Sequence, residues 1–65
     1  MKTEIMNELV NDIKNLNHCY TIGDEFSVFL RILDRMDYFF NELRKITGVR
    51  HYVEYNEKLG EFEIK

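Results

Sequence analysis

The residues that could do chemistry in this chain are few, and their spacing is poor for it. His18, Cys19 and His51 are the only soft metal ligands. His18 and Cys19 are adjacent, so on a helix their side chains diverge by about 100°. No spacing resembles a zinc site, and neither a metal nor a cofactor is expected. A Cys19 nucleophile would need a base, and His18 points away from it. Ser27 has no neighbouring histidine in sequence. Glu54 and Glu63 are expected to face each other across a hairpin, with Glu57 and Glu61 flanking its turn. Without a cleft these read as solvated charges rather than an acid–base pair. There is no glycine-rich phosphate loop. No catalytic residue is assigned, and the chain is expected not to be an enzyme.

Nucleic-acid binding would rest on Arg31, Arg35, Arg44, Lys45, Arg50, His51 and Lys58. Asp34, Asp37 and Glu42 interrupt that set, whereas phosphate binding needs a concentrated basic face. Formal charges are −3 for residues 1–25, +1 for 26–48 and −1 for 49–65. A small DNA-binding transcriptional regulator using the arginines of the second helix and the hairpin is therefore the alternative reading, and nucleic acid is not the expected partner.

The elements that must position these residues follow from hydrophobic periodicity. In a first helix, about 3–20, Ile5, Met6, Leu9, Val10, Ile13, Leu16 and Tyr20 fall within an arc of about 140°. Glu4, Asn7, Glu8, Asn11, Asp12, Lys14, Asn15 and His18 occupy the remainder. Thr21-Ile22-Gly23-Asp24 forms a turn, and Asp24 can cap the next helix. That helix, about 24–47, ends at Gly48 as its left-handed C′ residue.

The second helix has more apolar surface than one neighbour can cover. Its apolar arc is about 200° wide, where a surface helix needs little over 100°. Phe26, Phe29, Leu33, Met36, Phe40 and Leu43 form one row. Val28, Ile32, Phe39 and Ile46 form a second, with Arg35 and Glu42 in its polar gaps. The second row is either covered by the hairpin or serves as a protein interface. In the interface reading Phe39 anchors and Arg35 meets Glu42 of another chain, with Tyr38 and Tyr52 as a target-facing rim. The row Asn7, Asn11, Asn15 on the first helix is attributed to codon bias.

Residues 49–65 alternate as a hairpin. A four-residue loop with glycine in the left-handed position sets the register. Asn56 then pairs with Glu61, Tyr55 with Phe62 and Val53 with Ile64, which puts the four apolar residues on one face. The fold class expected is α+β: two antiparallel helices, then a C-terminal β-hairpin (ααββ), as one small domain over 1–65.

Composition sets the remaining bounds. At 65 residues and net charge −3 the chain is one small acidic domain, 45% hydrophobic, and too apolar for disorder. No apolar run is long enough to span a membrane, so no membrane partner is expected. The start, Met1-Lys2-Thr3-Glu4, reads as the charged beginning of a helix rather than a signal segment. A single cysteine points to a reducing compartment, hence a cytoplasmic location. Asn, Lys, Ile, Phe and Tyr make up 26 residues, and Ala, Gln, Trp and Pro are absent. That bias suggests an A/T-rich genome, of a low-GC bacterium or its phage. A chain this small commonly needs oligomerisation for stability, so a homodimer is expected, formed through the second row of the second helix, the hairpin edge, or both. The function expected is a non-catalytic protein-binding module that sterically occupies a host or cognate protein, such as a phage-encoded inhibitor of a host enzyme or defence system.

Overall fold

The computed structural model describes residues 2–65; Met1 lies outside the described residues. Helix α1 spans Lys2–Ile22 and helix α2 spans Phe26–Thr47. Strands β1 (Val53–Asn56) and β2 (Glu61–Ile64) form an antiparallel hairpin. The fold is the ααββ arrangement read from the sequence.

The helix ends follow local chemistry. Gly48 closes α2 in the left-handed region at φ +74°, donating its N–H to the Arg44 carbonyl at 2.7 Å. Arg44 and Lys45 sit in that last turn, at the negative end of the helix dipole. At the other end the N-cap is Glu25 rather than Asp24. Asp24 Oδ1 instead accepts the Glu25 N–H at 2.7 Å, which fixes the chain just ahead of the helix.

The hairpin register is the expected one: Val53 with Ile64, Glu54 with Glu63, Tyr55 with Phe62 and Asn56 with Glu61. Asn56 organises the turn. Its Oδ1 accepts the N–H groups of Lys58 (3.0 Å) and Leu59 (3.1 Å), a local bond that asparagine favours in turns. Strand pairing is shorter than the alternating pattern suggested, and residues 49–52 are not strand. Even so, Tyr52 and Lys65 still exchange both backbone bonds.

The core is Leu9 and Leu16 of α1 against Met36, Phe40 and Leu43 of α2, with Val53, Phe62 and Ile64 of the hairpin packed on it. Several features differ from the pattern on the helical wheel, Met6, Val10 and Tyr20 of the first helix's apolar arc being exposed. The buried stripe of α1 is Leu9, Asp12, Leu16 and Cys19, so Asp12, expected outside, is 3% exposed. Phe26, expected in the first row of α2, is 71% exposed and stacks on Phe29.

A long-range staple joins hairpin to helix. Asn17 of α1 donates from Nδ2 to the Phe62 carbonyl (2.9 Å) and accepts the Phe62 N–H at Oδ1 (2.6 Å). One primary amide thereby satisfies both outward backbone groups of Phe62, as a neighbouring strand would. The Phe62 ring then meets Tyr20 (5.1 Å), Phe29 (5.5 Å) and Tyr55 (4.9 Å), forming an aromatic cluster over that end of the helices.

Candidate functional site

Burial of Asp12 is made tolerable by Arg35. The guanidinium Nε lies 3.1 and 3.2 Å from the two Asp12 oxygens. Its other arm holds Glu8, and its carbon stands 5.2 Å from the centre of the Phe39 ring. Burial pushes the Asp12 carboxyl above its ordinary range, and Arg35 pulls it back only in part. Arg35 is therefore committed to α1 of its own chain. Glu42 is engaged too, by Lys45 at 3.2 Å.

These contacts place the second apolar row of α2. Val28, Ile32 and Phe39 are half-buried, and Ile46 is exposed. Phe39, Arg35, Glu42 and Tyr38 line a cleft whose opposite wall is Glu4, Ile5 and Glu8 of α1. The hairpin lies on the other flank of α2, where Val53 and Tyr52 stand beside Leu33, Asp37 and Arg44. So α1 meets the second row along one flank and the hairpin meets the first row along the other. Tyr38 and Tyr52 are both exposed, in separate clefts.

The chemically capable residues remain apart. Cys19 is buried, and burial, with Asp24 adding to it, raises its thiol above the ordinary range. That disfavours the thiolate a nucleophile needs. Ser27 Oγ bonds Glu25 at 3.4 Å. His51 Nδ1 lies 2.9 Å from the Lys65 carbonyl oxygen. Glu54 and Glu63 are partners across the hairpin and share Lys65, whose Nζ is 3.0 Å from Glu63 and 4.0 Å from Glu54. Lys65 and Asn56 hold the Glu63 carboxyl below its ordinary range. No group of three or more metal-ligating side chains occurs among the described residues.

The basic residues are divided in the same way. Arg35 and Lys45 are paired, while Arg44 and Arg50 share a cleft with Asp34 and Asp37.

The most apolar concavity lies where the start of α1, the end of α2 and the hairpin meet. Buried Leu9 and Leu43, with half-buried Ile64, line it beside Met6, Val10, Val49, Thr47, Lys2 and His51. Its volume is about 480 Å³, within the usual range for ligand sites. Met6, Val10 and Val49 are 47%, 50% and 52% exposed. Sequence reasoning placed Met6 and Val10 in the core arc of the first helix. The stripe 9, 12, 16, 19 was the available signal, and its polar member concealed it. Among the described residues, Lys2 and His51 are the ionisable side chains lining the groove, and no carboxylate does.

Comparison with protein-family models, with curated proteins and with solved structures finds no match to the chain. Among the described residues no helix is long and apolar enough to cross a membrane.

Proposed function

We propose that the chain is a non-catalytic protein-binding module acting by steric occupation of a partner protein. One observation carries this reading: Met6, Val10 and Val49 expose apolar surface around a groove whose floor is already apolar. Exposed apolar concavities of this kind mark interaction sites. The occupant is an apolar segment of the partner, with an acidic residue placed to meet Lys2, the charged side chain lining the groove among the described residues. Exposed Ile46 at the end of the half-buried second row, with Tyr38 and Tyr52, provides additional contact area. The buried, free Cys19 suits a reducing cytoplasm. A phage-encoded inhibitor of a host enzyme or defence system agrees with the small size and A/T-rich composition.

The DNA-binding alternative is weakened by the carboxylates paired with, or set beside, four of its basic residues. The test is affinity capture from a lysate with wild type and Val10→Glu side by side, both checked for native circular dichroism. A protein retained by wild type and lost from Val10→Glu supports the reading. Equal retention by both overturns the groove. Retention of duplex DNA that falls steeply with salt replaces the reading with the regulator.

A further inference from the structure

The two edges of the hairpin are treated differently. Tyr52 and Lys65 exchange both backbone bonds, so Glu54–Glu63 and Asn56–Glu61 are the other hydrogen-bonded pairs of the ladder. Phe62 and Ile64 on β2 and Val53 and Tyr55 on β1 therefore turn their backbone groups outward. The Asn17 amide satisfies those of Phe62, so α1 occupies the middle of the β2 edge. The N–H and C=O groups of Val53 and Tyr55 meet no protein partner among the described residues. β1 is four residues long, carries Glu54, and has no proline, lysine or bulge.

We infer that the β1 edge is a self-association site that pairs antiparallel with β1 of a second copy, making one four-stranded sheet across the dimer. Charge selects this occupant. The segment is basic at its start (Arg50, His51) and acidic at its end (Glu54, Glu57), so an antiparallel copy sets each end against its opposite. It also selects the register. Centring the pair on Val53 puts Tyr52 opposite Glu54 of the second copy, with Arg50 diagonal to that same Glu54. Those diagonal positions are within reach of long side chains. Centring on Glu54 would set two glutamates face to face. Centring on Tyr55 would require turn residues 57 and 58 to pair as strand, whereas the Val53 register extends β1 back through 50–52, of which Tyr52 already pairs with Lys65. The Val53 register also directs the outward groups of Val53 at each other across the two-fold axis. A lone two-stranded hairpin is marginal in water, and pairing completes the sheet; of the groove lining it engages His51, and this inference goes beyond the proposed partner and does not depend on it.

The experiment combines solution mass by light scattering over a hundredfold dilution with amide exchange on the full chain. The expected result is a two-chain mass that falls on dilution, with Val53 and Tyr55 amides protected only in the concentrated sample. Arg50→Glu and Glu54→Arg should each weaken association about tenfold, and the charge-swapped double variant should recover it, all with native circular dichroism. A monomer at every concentration overturns the inference. So does a dimer with unprotected Val53 and Tyr55 amides, or a double variant no tighter than the singles.

Discussion

Replacing Asn17 by alanine removes both bonds that tie β2 to α1. Each such bond contributes about 1 kcal/mol net, and the stranded Phe62 N–H and C=O add to the loss, for about 2–3 kcal/mol altogether. A domain of this size has only about 3–5 kcal/mol from its core, so the substitution should remove half its stability or more. With a urea slope of about 1 kcal/mol per molar, the midpoint should fall by about 2–3 M. Asn17→Asp provides an internal control. The new carboxylate still accepts the Phe62 N–H but repels the Phe62 carbonyl, whereas the protonated acid can donate to it. The folded-state value of that carboxyl is thus raised. Its contribution is present below the unfolded value and lost as pH rises through the folded one, so the defect of Asn17→Asp should shrink in acid. Equilibrium urea unfolding at pH 7 and pH 3.5 measures both. An Asn17→Ala midpoint within about 0.5 M of wild type would refute the staple as an energetic element.

Three further outcomes are expected. Phe40→Ala, in the centre of the core, should cost about 3–5 kcal/mol and leave little cooperative unfolding by circular dichroism. Folding raises the Asp12 carboxyl from its ordinary 3.8, so that group contributes stability below 3.8 and loses it as pH rises. Glu63, lowered from 4.5, does the reverse. Asp12→Asn should therefore gain on wild type between pH 3 and pH 7 in paired denaturation curves, and a gain toward acid would contradict the assignment. Cys19 should react with a disulfide reagent only at the rate of unfolding, and rapid labelling of the native protein would show that its burial is wrong.

Elements with strong local chemistry were legible from residues alone. Gly48 needs its left-handed conformation, Asn56 and Gly60 fix a turn, and alternation about that turn leaves one register for the hairpin. The flank of α2 that the hairpin takes was not legible, because two apolar rows on one helix look equivalent on a wheel. A staple between Asn17 and Phe62, 45 residues apart, ties the hairpin to α1, and neither residue signals the other locally. Asp12 misled for a related reason. A carboxylate reads as solvent-facing until its cation is known, and Arg35 lies 23 residues away. Treating Asp12 as outward shifted the inferred apolar stripe toward Met6 and Val10, the residues that line the groove.

The central claim, that the groove receives a partner protein, is tested most directly by methyl spectra of isotope-labelled methionine. Met6 lines the groove, half-exposed, while Met36 is fully buried in the core. Adding the captured partner should shift and broaden the Met6 methyl signal and leave that of Met36 nearly unchanged. A Met6 signal unmoved at saturating partner would place binding elsewhere on the molecule and contradict the account.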